Sequence, residues 1–206
     1  MLSATPAPTS PSDSSYTPFS AGQFVVTTRV TDVDPSARGE IYTSGGVDSG
    51  LHVGVNSNTV PTLGFSYFLT DAVSVEAILG TSQHSITAQG TGTSIPVHKT
   101  WVLPPVVALQ YHFSPKSRVS PYVGAGINAM AWYSSKNYNG FTVKLKDGVG
   151  TALQAGVDIA LAGPWALNLD YKKVFYKTRA TINGGALTSE VKLDPAVMSI
   201  GIERRF

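Results

Sequence analysis

The chain has 206 residues, no cysteine and a formal net charge of +2, and only 14% of it is charged, against roughly 25% in a typical soluble domain. That balance excludes a nucleic-acid footprint and a disulfide-stapled scaffold, and it leaves little polar surface for water. No run of the sequence approaches the roughly 18 unbroken apolar residues that a membrane-crossing helix needs.

Taken in chain order, the first segment is Ser/Thr/Pro-rich, with Pro6, Pro8, Pro11 and Pro18 among its hydroxyl residues. Such a stretch buries too little apolar area to offset ordering entropy, so residues 1–20 are predicted to be a disordered leader and residues 21–206 a single barrel domain. The leader has neither the basic start nor the apolar core of a secretion signal, and the expectation is that a targeting segment has been removed.

After Gly22 the sequence alternates with period two and is rich in Val, Ile, Thr and aromatic residues, which is the strand signal. Eight such segments start near Gln23, Thr59, Val73, Trp101, Val119, Gly148, Trp165 and Pro195. The joints between them alternate in length. Thr70–Ala72, Ser114–Arg118 and Ala162–Pro164 are short, while about 32–58, 82–99, 134–146 and 178–194 are long. The expectation is an all-β chain: an eight-stranded antiparallel up-and-down transmembrane β-barrel, with tight turns at the periplasmic rim and long loops outside. An even strand number then places both termini in the periplasm, beneath a bacterial outer membrane.

The faces of these strands differ. Trp101, Leu103, Val107, Leu109, Tyr111 and Phe113 share one phase, as do Val149, Leu153, Val157 and Ile159, then Trp165, Leu167, Leu169 and Tyr171, and finally Met198, Ile200, Ile202 and Phe206. Aromatic residues end these apolar faces, where a membrane girdle would hold them. The opposite phase carries Glu76, Asp158, Asp170, Lys172, Glu203 and Arg205. Enclosed, those charges must pair, and they are predicted to form a polar plug in the lumen. A soluble ligand-binding barrel would invert the parity, and period two is common to both readings. The end of the chain favours the membrane, because Phe206 on an alternating apolar strand resembles the insertion signal read by outer-membrane assembly machinery.

Several motifs could carry chemistry. Gly124–Ala129 matches a dinucleotide fingerprint, but strand-like sequence follows where a helix is required, so the glycines are read as thinning the barrel wall. His52, His84, His98 and His112 show no ligand spacing, and no Ser, His and acidic orienter converge at one rim, so no catalytic or metal residue and no cofactor is expected. Pro104-Pro105 interrupts the fourth strand, where proline can donate no ladder bond. One reading is a bulge that bends the strand; the other is a lateral opening. Ile78, Val102 and Val106 fall on the lumen phase beside the prolines and would line a substrate path above the plug.

The chain resembles the OmpW family of small outer-membrane barrels, which includes alkane-import members, from about Ala21 to Phe206. The likeness rests on Thr62–Asp71 (TLGFSYFLTD), Val75-Glu76, Leu103-Pro104-Pro105, Pro121–Asn128 (PYVGAGIN), Gln154–Asp158 (QAGVD), Leu193-Asp194-Pro195 and the Arg205-Phe206 end. Two departures stand out: Arg204 where the family has an aromatic, and Lys172 where a lumen aromatic is usual. The resemblance implies an outer-membrane channel for passive uptake of small hydrophobic molecules, captured in an apolar upper cavity and released sideways into the bilayer. The other reading is a structural or adhesion barrel without transport. The expected partners are membrane lipid, small apolar solutes and the outer-membrane assembly machinery.

Overall fold

The computed structural model describes residues 16–206. Its segments are β1 (Phe24–Asp34), β2 (Glu40–Thr43), β3 (Asp48–Val55), β4 (Asn58–Phe68), β5 (Val73–Gly80), β6 (Ser82–Gly90), β7 (Thr93–Leu103), β8 (Val106–His112), β9 (Val119–Asn137), β10 (Val143–Leu145), β11 (Gly148–Ala160), β12 (Trp165–Phe175), β13 (Lys177–Ile182), β14 (Leu187–Lys192) and β15 (Ala196–Arg205). Eight of them close a ring in the order β1-β4-β5-β8-β9-β11-β12-β15, and β15 returns to β1 over Val25↔Arg205 to Asp34↔Ala196. Every neighbour in the ring is antiparallel, so no edge is left for another chain to pair with.

The long connections differ from expectation. They are mostly strand, not loop: β2, β3, β6, β7, β10, β13 and β14 form a second tier hung on the upper part of β9, which is 19 residues long and serves both tiers. The reason lies in their alternation, which continues past the membrane-spanning segments. Ile41, Val53, Ile86, Val97, Val143, Ile182 and Val191 all turn inward and are buried in one apolar cluster. Burying that area stabilises the tier by roughly 25 cal/mol per Å².

Most of the predicted leader lies outside the described residues. Its last residues are packed, which departs from the expected disorder: the Thr17 amide donates to the Gly163 carbonyl (2.8 Å), and the Phe19 amide to that of Pro115 (3.0 Å). Phe19 itself is buried in a stack on Phe68, 4.4 Å between centroids. One aromatic ring in a preformed slot supplies the apolar area that the polar residues before it lack.

The parity question is settled by exposure. Leu109 and Ile200 are 55% and 52% exposed on the outer wall, whereas Glu76 and Asp158 are 1% and 2% exposed inside. Exposed aromatics ring the barrel at two levels, with Phe24, Tyr67, Tyr111, Phe113 and Trp165 near the tight turns and Tyr133, Tyr171 and Phe175 higher. Arg204 also faces outward, its guanidinium 5.5 Å over the Trp165 ring and 4.8 Å over that of Phe206, so it replaces an aromatic by covering two. The Gly124–Ala129 fingerprint lies wholly within β9, and the chain continues as strand after it. A side chain at Gly126 would collide with the Val107 carbonyl and Ala108, so glycine here permits close strand approach.

An arginine on the outer face should cost more at mid-membrane than at the rim. Ile200→Arg is expected to destabilise the barrel by about 2–4 kcal/mol and Val149→Arg by about 0–1 kcal/mol, read by reversible denaturant unfolding in lipid vesicles.

Candidate functional site

The lower half of the bore is filled by paired charges. Arg29 on β1 donates from Nη2 to Glu76 Oε1 on β5 (2.7 Å) and from Nε to Asn168 Oδ1 on β12 (2.7 Å). Glu76 Oε2 also accepts from Gln110 (2.9 Å) and Gln154 (2.8 Å). Asp170 accepts from Gln154 (2.6 Å), from the Tyr122 hydroxyl (2.7 Å) and from Lys172, whose ammonium lies 3.6 Å from Glu76. Below this tier, Asp158 accepts from Asn168 (2.6 Å) and faces His112 Nδ1 at 3.4 Å, and Arg205 grips Glu203 at 2.9 Å.

Phe19 closes the bottom. The Arg205 guanidinium sits 3.8 Å over its ring and donates to the Thr17 carbonyl (2.5 Å), while Lys116 donates to the Phe19 carbonyl (2.9 Å). Lys116 also pairs with Asp71 at 2.7 Å. The Lys116 hydrogen bond, with the Ala21 amide, holds the Asp71 carboxyl below its usual range. That clasp is therefore present at neutral pH and is lost as acid protonates Asp71. Only about 10 Å³ of free space remains between Phe19 and the network, too little for more than a single water.

Above the plug lies a chamber of about 190 Å³ whose walls are almost wholly apolar. Arg29, Lys172 and Asn128 form its floor, and the inward residues of the second tier form its walls. His84, which lines it, is held between the Ser82 hydroxyl (2.9 Å) and the Asn56 carbonyl (2.8 Å). Burial pushes this imidazole below its usual value, so it adds no charge to the chamber at neutral pH.

The ladder in the chamber wall is interrupted, at a break here called the slit. The β5–β8 ladder stops at Ile78↔Val106 and pairing resumes between β6 and β7 at Ser82↔Val102. Three residues on each side, 79–81 and 103–105, are left unpaired, so the register is unchanged across the break. No residue is inserted, which rules out the bulge. Asn128 Nδ2 caps the far side by donating to the carbonyls of Pro104 (3.2 Å) and Pro105 (3.1 Å), and the Ala129 amide donates to Pro105 (3.0 Å). Thr81 spans the slit, its hydroxyl donating to the Val102 carbonyl (3.2 Å) and meeting the Tyr133 hydroxyl.

Residues 20–206 match the OmpW family. The chain belongs to that family. It is 37% identical over 161 residues to the uncharacterized outer-membrane protein y4mB of Sinorhizobium fredii, covering 76% of this chain and 70% of that protein. It is 29% identical over 180 residues to the dibenzothiophene metabolism operon protein PahQ of Pseudomonas aeruginosa, covering 86% and 85%. The crystal structure of the outer-membrane protein OprG from Pseudomonas aeruginosa superposes with a TM-score of 0.87 at 26% identity, covering 93% of this chain and 99% of that one. This OmpW-family chain is an outer-membrane β-barrel.

In the OmpW barrel, Ile78, Val102, Pro104 and Val106 line the chamber, and Pro105 does not. Glu76, Asp158, Asp170, Lys172, Glu203 and Arg205 are all buried within the bore. Phe206 lies at the outer wall, hydrogen-bonded through its backbone to Phe24. The sequence alone gave no role to Arg29, Gln110, Tyr122, Asn128 and Asn168, which join the network or cap the prolines. Their signal was available, since each sits on the inward phase of its strand. Among the described residues no cluster of His and carboxylate side chains has metal-site geometry.

Removing one partner from a buried ion pair strands the other. Glu76→Leu is expected to cost about 3–5 kcal/mol in unfolding experiments, and Arg29→Met added to it should restore most of the loss.

Proposed function

We propose that this barrel is a passive outer-membrane channel for small hydrophobic molecules, which bind in the upper chamber and leave sideways through the slit into the bilayer. The observation that carries the reading is the juxtaposition of an apolar chamber of about 190 Å³ with a bore that retains about 10 Å³ beneath it. An apolar solute gains by entering the chamber and would have to desolvate the ion network to descend further. The volume suits a single-ring or short-chain solute, since an engineered apolar cavity of about 150 Å³ in another protein takes up benzene.

Pro104 and Pro105 act as the gate in this reading, with Ile78, Val102 and Val106 as the path. The ionised residues Glu76, Asp158, Asp170, Lys172, Glu203 and Arg205 act as a plug that keeps the lower bore shut. Both termini lie in the periplasm, and Phe206 serves as the signal for the assembly machinery. The reaction is diffusion, with no catalytic step. PahQ, a relative named for a dibenzothiophene metabolism operon, supports the hydrophobic class of solute.

Pro104→Val with Pro105→Thr would restore the missing donors and let the ladder zip from Ile78 to Ser82. The variant is expected to fold, to keep its chamber, and to lose at least about tenfold in the initial rate of uptake of an apolar aromatic into liposomes. Uptake at the wild-type rate would exclude the slit as the exit. No uptake above protein-free liposomes by the wild type itself would favour a structural or adhesion barrel.

A further inference from the structure

Where β13, β14 and the segment before β2 lie side by side, three cations stand abreast. Lys177 is directly opposite Lys192, and Lys192 is directly opposite Arg38, with which it exchanges two backbone hydrogen bonds of 2.9 Å. Residues directly opposite across antiparallel strands point to the same face, with Cβ atoms about 4.5–5.5 Å apart, and like charges placed so are destabilising. None of the three forms a salt bridge among the described residues. All three are exposed and face outward, whereas Thr178 and Val191, next to Lys177 and Lys192 in the chain, are buried.

Their height is informative. Lys177 stands two residues beyond Phe175, the last outward aromatic of β12, and the row therefore begins where the lipid-facing band ends. A groove of about 1080 Å³ runs over this face and includes Arg38 and Lys192 with Arg179 and Lys173. Three carboxylates border it. Asp194 is engaged, accepting from the Tyr176 amide (3.1 Å); Glu190 lies opposite Arg179, and Glu40 two residues beyond Arg38. The row itself thus has no direct ion pair, and with Lys177 its face carries five cations against three carboxylates, in a chain with only 15 basic residues.

We propose that this row docks the phosphate groups of the phosphorylated glycolipid that forms the outer leaflet of a bacterial outer membrane. The surface is continuous with the lipid-facing wall, so the headgroup would meet the cations while its acyl chains pack on Tyr171, Phe175 and Met198. A polyanion bridging the three would convert a repulsive arrangement into a stabilising one.

The test uses the intact protein in nanodiscs doped with lipid A. Native mass spectrometry or retention after size exclusion would compare bisphosphorylated lipid A, its dephosphorylated form, phosphatidylglycerol and inorganic phosphate. The expectation is selective retention of the bisphosphorylated form, weakened by about tenfold or more in the Arg38→Gln, Lys177→Gln, Lys192→Gln variant and by raised salt, and unchanged in Lys144→Gln. If the triple variant does not fold, Lys192→Gln, the middle cation, should give most of the loss alone. Equal retention of dephosphorylated lipid A, displacement by inorganic phosphate at matched concentration, equal retention of phosphatidylglycerol, or full retention by a folded variant would each overturn the proposal.

Discussion

Eight strands close around a bore that is only wide enough to be filled by side chains, and this barrel fills its lower half with ions. Each buried charge would cost several kcal/mol if left alone, so the bore is stable only when every one of them meets a partner. The partners come from seven of the eight ring strands, all but β4. Glu76 on β5 takes donors from β1, β8 and β11, and Asp170 on β12 takes them from β9 and β11. A slip of one residue anywhere in the ring would turn such a side chain to lipid. The network therefore fixes register and closure together, and it fills most of the lower bore.

What the lower half forecloses, the upper half supplies. The second tier lengthens the barrel wall with strands whose inward residues are apolar, creating volume above a charged floor. The slit sits at the level of that floor. Its two prolines give up ladder donors, and the carbonyls they leave are satisfied by Asn128 and by the Ala129 amide instead of by a strand. The two proline carbonyls on the far side are therefore satisfied, which keeps the loss of ladder bonds local, although Asn128 Oδ1 itself is buried with no partner among the described residues.

The barrel itself was legible because a spanning strand has one greasy face and lies between one short and one long connection, and both leave marks in sequence. The starts at Val73, Val119, Gly148 and Trp165 coincide with strand starts. Parity put the charges at Glu76, Asp170 and Lys172 on one phase, and the chain end at Phe206 favoured placing that phase inside. What sequence could not give was their pairing, since Arg29 and Glu76 are 47 residues apart and meet only when β4 brings their strands together. The second tier was hidden for a different reason. Its strands carry glycines, prolines and charges that read as loop, and their apolar positions gain a purpose only once seven segments share one core. Phe19 was hidden by its neighbours, because composition averages over a window and one anchoring ring does not move the average.

The two tiers also invert one another. Along β12 and β13 the inward residues run Asn168, Asp170 and Lys172 and then Val174, Tyr176 and Ala180, while the outward ones run Leu169 and Tyr171 and then Lys177 and Arg179. Along β9 the inward series passes from Tyr122 and Asn128 to Met130 and Trp132. The alternation keeps its period and reverses its sign, because the strand leaves a solvent of acyl chains for one of water while its inner face passes from the plug to the chamber. That reversal marks the membrane boundary in the sequence. The slit at 103–105 lies opposite 129–131 of β9, at the point of reversal, where Leu79, Leu103 and Val107 on the outer wall are still apolar. At that level the apolar chamber and the acyl chains are separated by the interrupted ladder, while the cations of the upper tier stand on another side of the barrel, above β12, β15 and β1.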